Sequence, residues 1–190
     1  MYKLAIKGKK LFNEATNKFI DIKPCVLKLE HSLLSISEWE TKWQIPFIES
    51  DNPYLQKKEW KKTNENILDY IRCMTINKDV DPLVYTCITQ KDVTDIFKYI
   101  NNPMSASFFA DKPEDKRHSS KVTTSEYLYA KMAYLGIPFS CEKWHLNRLL
   151  NLIRMASEME AESMGGGKKG SKMKTAREWA ALNAARKGKR

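Results

Sequence analysis

No apolar run in this sequence approaches the length of a bilayer span. All are short, such as Val26–Leu27 and Leu149–Leu150. The opening Met1-Tyr2-Lys3-Leu4 has no long apolar stretch of the kind a secretory signal carries. Cysteine is sparse and scattered. The four thiols fall at 25, 73, 87 and 141, and no CxxC pair occurs, so they read as reduced thiols in apolar surroundings and predict a cytoplasm. The phosphate-cradling GxxxxGK[ST] pattern is missing, as are GxGxxG and GxSxG. The glycine run at 165–170 precedes a helical segment, but no strand leads into it, as a phosphate loop requires. Only three histidines are available, at 31, 118 and 145.

The little chemistry that remains reads as structural. Cys141 and His145 stand four apart, a spacing used by metal ligands, but a second pair to complete a site is lacking. The same two residues as a thiol nucleophile and its base would want a third, orienting group, and none is evident. His145 reads as a half-buried hydrogen-bonding residue beside Trp144. Asp79 and Asp81 flank Val80 ahead of Pro82, which fits a helix-entry turn with proline at its first position. We expect no catalytic residue, no metal and no cofactor.

Acid is nearly absent from the C-terminal stretch. Residues 165–190 hold nine basic groups (Lys168, Lys169, Lys172, Lys174, Arg177, Arg186, Lys187, Lys189 and Arg190) against Glu178 alone, a charge of +8 out of the chain's +10. The rest is nearly neutral, which argues against the folded part as a nucleic-acid surface.

What is present is enough apolar material for a core, at 42% of residues. The first 30 residues alternate. Tyr2, Leu4 and Ile6 share one face, and Phe19–Ile22 and Val26–Leu29 follow, separated by polar residues at 13–18 and by Pro24. That is the period of a small antiparallel sheet. From residue 35 the period becomes helical. Ser37 with Glu40 fits a capping box opening a helix that Ile45-Pro46 ends. Thr63 precedes Ile67, Leu68, Ile71 and Met74 at helical spacing, and Thr89 with Asp92 precedes Val93, Ile96, Phe97 and Ile100. Residues 110–123 are polar and predict an exposed loop. Thr124 or Ser125 opens a helix that Gly136 and Pro138 close. Ser140 caps the longest predicted helix, 141–163. Its Trp144, Leu146, Leu149, Leu150, Ile153 and Met155 cover most of the circumference and predict a central position.

The predicted class is therefore α+β, mostly α. A small N-terminal antiparallel region (1–34) packs on a helical body (35–163), followed by a flexible linker (164–174) and a detached basic C-terminal helix (175–190). Trp39, Trp43, Tyr70, Tyr127 and Trp144 sit at apolar helical positions and read as core. Trp60 sits in Gln56-Lys57-Lys58-Glu59-Trp60-Lys61-Lys62, a polar surrounding that suits an exposed contact residue. In the C-terminal helix Trp179, Leu182 and Ala185/Arg186 form one stripe. Partner binding is thus expected at Trp60, Trp179, Leu182 and Arg186. A helix that short is marginal alone, and a partner or a second copy would stabilise it.

Several strings carry a resemblance. They are residues 29–43 (LEHSLLSISEWETKW), Pro46-Phe47, residues 69–75 (DYIRCMT), residues 102–107 (NPMSAS), residues 137–148 (IPFSCEKWHLNR) and residues 181–186 (ALNAAR). In order and spacing the chain resembles small morphogenesis proteins of tailed bacteriophages and prophages, of the tail assembly chaperone type. The resemblance implies a non-enzymatic role in the host cytoplasm. Such a chaperone binds the long helical tape-measure protein and keeps it soluble while tail-tube subunits polymerise. It also implies that a longer form made by ribosomal frameshifting can exist. Two other readings suit the same residues: a virion component of neck, tail or baseplate that clamps a neighbour with its basic arm, and a nucleic-acid accessory protein.

Overall fold

The structure is a computed structural model that describes residues 1–14, 17–48, 64–109, 122–163 and 173–175. It is an α+β fold, mostly helical, with antiparallel strands at the N-terminus. Trp60, Trp179, Leu182 and Arg186 lie outside the described residues, as do Thr63, residues 110–121 of the loop expected at 110–123, and residues 164–172.

The strands are β1 (Tyr2–Ile6), β2 (Lys9–Asn13), β3 (Lys18–Ile22) and β4 (Cys25–Leu29). β1 pairs with β4 from Tyr2↔Leu29 to Ile6↔Cys25, and β2 pairs with β3 from Lys9↔Ile22 to Asn13↔Lys18. Both ladders belong to one register, in which Lys7 would face Pro24 and Gly8 would face Lys23. The ladder breaks there because Pro24 has no N–H to donate. A side chain at Gly8 would meet the Ile22 carbonyl oxygen at 2.7 Å, so only glycine lets the two arms approach.

The break also exchanges the faces of the hairpin. Leu4, Ile6 and Leu27 are buried on one face of its proximal half. In the distal half Ile22, paired with Lys9, is the buried residue, and Phe12 and Phe19 on the opposite face are exposed. The sequence pattern marks β3 and β4 but leaves β2 unassigned, because Lys9-Lys10-Leu11-Phe12-Asn13 does not alternate.

Helix α1 (Leu33–Trp43) is the centre of the core. Leu33, Ile36 and Trp39 are fully buried. It starts earlier than the Ser37–Glu40 pairing predicts. Ser32 is the N-cap, its hydroxyl oxygen accepts from the Ser35 amide at 3.3 Å, and the Ser32 amide donates to Ser35 Oγ at 3.1 Å. The expected boundary at residue 34 therefore falls inside a helix, and one core spans the strands and helices. Gln44 ends α1 in the left-handed region (φ 53°), two residues before Pro46.

Helix α2 (Asn64–Cys73) lies against α1, followed by a 3-10 helix (Pro82–Cys87) that Asp81 caps with Pro82 at its first position, as the sequence predicts. Helix α3 (Gln90–Ile100) carries the expected Thr89–Asp92 capping box. Thr124 caps α4 (Ser125–Tyr134), and Gly136 turns the chain at φ 65°.

The long helix differs from its prediction. Residues 139–143 form a 3-10 helix, and α5 begins only at Leu146 and runs to Ser163. Its buried positions are Leu146, Leu149 and Ile153, a single stripe. Leu150 and Met155 are only partly covered, and Trp144 precedes the helix. α5 therefore flanks the core, and α1 takes the central place.

The chain returns to the body after α5. Met173–Thr175 (β6) pairs antiparallel with Ser107–Phe109 (β5), Thr175 opposite Ser107. Met173 and Lys174, expected in the linker, and Thr175, expected as the first helical residue, are strand residues. The C-terminal segment is therefore tethered to the body rather than detached at that point.

Candidate functional site

Among the described residues, His31, Ser35 and His145 are buried polar side chains that meet Tyr70 and Tyr99. His31 Nδ1 and the Tyr70 hydroxyl are 2.5 Å apart, and Ser35 Oγ lies 3.4 Å from the same hydroxyl. The His31 and His145 rings meet edge to face at 5.2 Å, and His145 meets Tyr99 in the same way at 5.0 Å. The Tyr99 hydroxyl donates to Glu30 Oε1 at 2.5 Å, and the Met1 amine pairs with Glu30 Oε2 at 2.6 Å. Backbone bonds tighten the node, since the Leu146 amide donates to the His31 carbonyl at 2.7 Å.

Burial pushes the Tyr70 and Tyr99 hydroxyls well above the usual phenol range. Burial and the nearby Glu38 and Asp69 charges push the Cys73 thiol up to about 12, and burial raises Cys25 as well. A thiol held protonated is a poor nucleophile. Cys141 and His145 do not share a helix face, because one sits in a 3-10 helix and the other ahead of α5. Among the described residues no group of three or more His, Cys, Asp and Glu side chains is placed to hold a metal ion.

His145 holds three segments together. Its Nε2 lies 3.2 Å from the Tyr99 carbonyl, and its Nδ1 accepts from the Asn147 amide at 3.3 Å. The carbonyl can only accept and the amide can only donate, so the neutral ring protonated at Nε2 satisfies both. A second proton at Nδ1 would face the Asn147 N–H. Burial lowers the imidazole pKa below its ordinary 6.5, against the opposing pull of the Tyr99 carbonyl and Glu30.

Because the folded pKa lies below the unfolded one, this stabilisation is complete above the ordinary value and is lost as pH falls through it. We expect the melting midpoint to drop between about pH 7.5 and about pH 5.5. His145→Asn should start lower and show a shallower drop over the same window. Parallel slopes for the two proteins in a calorimetric pH series would contradict this assignment.

Two buried carboxylates are likewise spent on the fold. Burial opposes ionisation of Asp69, but hydrogen bonds from Lys42 (2.6 Å) and Trp43 Nε1 (2.9 Å), with the Lys42 charge, outweigh it and hold the carboxyl below its usual value. Glu40 Oε1 accepts from the Phe47 amide and Oε2 from the Ser125 amide, each at 2.7 Å, so one side chain fixes both the exit from α1 and the start of α4. Glu40→Gln keeps the volume but turns an amide NH2 toward a backbone N–H. It should cost roughly 1–3 kcal/mol in denaturant unfolding. A change within error would mean that the two amides find other acceptors.

The surface offers a different feature. An apolar cleft of about 290 Å³ lies between α2 and α3, lined among the described residues by Ile67, Leu68, Ile88, Val93 and Phe97, with Thr89, Gln90 and Thr94 at its rim. Phe97 is 40% exposed on a helix whose Ile96 and Tyr99 are buried. The sequence places Val93, Ile96, Phe97 and Ile100 on one face, and the structure divides them, with Ile96 buried and Phe97 exposed at the cleft. Of the aromatics expected in the core, Trp39 and Tyr70 are buried, Trp43 and Trp144 are partly covered, and Tyr127 is 43% exposed. Trp144 carries the Arg148 guanidinium 4.3 Å above its ring.

No protein-family model matches this chain, and neither a curated protein nor a solved structure matches it.

Proposed function

We propose that this chain is a non-enzymatic binding protein of the phage tail assembly chaperone type, which holds apolar helical segments of a tape-measure protein before tail-tube subunits enclose them. The observation that carries the reading is the open apolar cleft between α2 and α3. It is a row of aliphatic residues with Phe97 at one side and a rim of hydroxyl and amide side chains. A helix laid in such a groove inserts residues spaced three and four apart. Trp179, Leu182, Arg186 and Trp60 are the further contacts proposed from the sequence.

The resemblance supports the same reading in a specific way. The strings that carry it supply His31, Ser32, Ser35, Tyr70 and His145 to one buried node, with the Phe47 ring tilted against Tyr70 at 4.1 Å and Asn147 donating to the Asn102 carbonyl at 2.8 Å. The similarity thus lies in part in residues that hold the fold together, among them the buried Glu40 and Asp69.

Phe97→Asp places a charge in the cleft at a side chain the core does not need. We expect an unchanged melting midpoint and a fall of about tenfold or more in capture of the tape-measure protein encoded in the same gene set. Full capture by Phe97→Asp would remove the cleft from the account. Stoichiometric presence of the chain in purified particles would replace the chaperone reading with that of a virion component.

A further inference from the structure

Helix α4 is apolar on two sides. Leu128 and Met132 face the core, yet Tyr127, Ala130, Ala133 and Tyr134 are exposed on its outer surface. Tyr127 and Tyr134 are seven residues apart and lie on one stripe, with Ala130 between them. Tyr134 is 71% exposed. The Glu160 carboxylate of α5 is close enough to raise the pKa of its hydroxyl, so the ends of the two helices are neighbours. The preceding residue of α5, Met159, is 68% exposed. The rim of this surface is acidic. Glu126 opens α4, and Glu158, Glu160 and Glu162 line the end of α5, with Arg154 paired to Glu158 at 3.6 Å. Lys131 is the one cation on α4.

An aromatic and alanine stripe with an acidic border fits a basic helix that carries its own apolar stripe. The sequence supplies one. Residues 176–190 hold Trp179 and Leu182 with Ala180, Ala181, Ala184 and Ala185, and their charge is +4: Arg177, Arg186, Lys187, Lys189 and Arg190 against Glu178. The tether brings it within reach. Thr175 is opposite Ser107, whose carbonyl accepts from Asn151 of α5 at 3.4 Å. Glu160 is nine residues further along α5, about 14 Å at 1.5 Å per residue. A helix of residues 176–190 would be roughly 22 Å long. A segment tethered that close is presented at millimolar effective concentration, which favours its own body over another molecule.

We propose that residues 176–190 dock on the outer face of α4 and the end of α5 of the same chain, with Trp179 and Leu182 over the Tyr127–Ala130–Tyr134 stripe and the basic residues against the glutamate rim. This rests on the preceding reading in taking the arm as a partner-binding element. Docking then holds the arm's stripe covered until a partner helix displaces it. The docking itself is tested without any partner.

The 190-residue chain is digested with limiting trypsin, and cleavage after Arg177 is followed by mass spectrometry. Proteolysis of a docked segment tracks the fraction of time it is open. Tyr134→Glu should raise the cleavage rate by about tenfold or more, and the double change Glu160→Lys with Glu162→Lys should do the same. Phe19→Glu, at an exposed aromatic on β3, should leave it unchanged. Protection should weaken with added salt and persist through about a hundredfold dilution of a monomeric sample. Equal rates in the unaltered protein, Tyr134→Glu and Trp179→Ala would overturn the proposal, since the arm would then be free. Protection lost on dilution would overturn it too, since the arm would then sit on a second copy.

Discussion

Trp39→Ala should destabilise the protein by about 3–5 kcal/mol, the largest loss expected of any single truncation. Trp39 is fully buried at the middle of α1. Its ring meets Phe47 edge to face at 5.2 Å and lies 6.4 Å from Tyr70. Its indole Nε1 donates to the Asn66 carbonyl at 2.8 Å, which joins α1 to α2. Truncation removes the contacts, opens a cavity among aromatic rings that cannot collapse, and strips a buried carbonyl of its donor. Trp39→Phe separates these effects. It keeps most of the volume and loses the hydrogen bond, so its cost should be nearer 1–2 kcal/mol. Urea unfolding of the three proteins checks this. Equal losses for Phe and Ala would mean that the hydrogen bond, not the packing, dominates.

Leu149→Ala should cost about 2–5 kcal/mol, and Leu150→Ala distinctly less. Leu149 is fully buried on α5, whereas Leu150 is only partly covered. The buried stripe is Leu146, Leu149 and Ile153, so the two neighbouring leucines point to different surroundings. A small loss at Leu149 would show that this stripe packs loosely against the rest. A loss at Leu150 as large as that at Leu149 would restore the centrally placed helix that the sequence pattern predicts.

The comparison of those two leucines shows how far the sequence can be read. Helix existence was legible wherever apolar residues recur at three and four, as in α2, α3 and α4. The Thr89–Asp92 box and the Asp81–Pro82 entry were legible because a cap is a local event between neighbouring side chains and amides. The start of α1 was not. Ser32–Ser35 and Ser37–Glu40 both present a hydroxyl three residues before a polar partner, and the choice is made by Glu40, whose carboxylate is drawn to Phe47 and to Ser125, 85 residues away. No local pattern contains that contact.

Strand β2 was hidden for a related reason. Its lysines sit where a hairpin exchanges its buried face at Gly8 and Pro24, so alternation across the break runs out of phase. The strand formed by Met173–Thr175 falls across the expected linker and the expected helix start at Thr175, because a three-residue strand has no period to detect.

The candidate surfaces were legible only in part. The arm's stripe of Trp179 and Leu182 is a sequence feature. The cleft is assembled from α2 and α3, and the α4 face is visible only once Leu128 and Met132 are known to fill the opposite side. Spacing identified Tyr127 as apolar and helical, but on a helix apolar all round it could not say which side meets the core. The near-neutral charge of the first 164 residues likewise conceals an acidic end of α5 that only the fold places beside α4.

The most direct test of the account is the solubility of the tape-measure protein when it is expressed with and without this chain. The account predicts that the tape-measure protein partitions to the pellet alone, and to the supernatant as a complex when the unaltered chain is co-expressed. A tape-measure protein that stays in the pellet despite abundant folded chain, or that is equally soluble without it, would contradict the account.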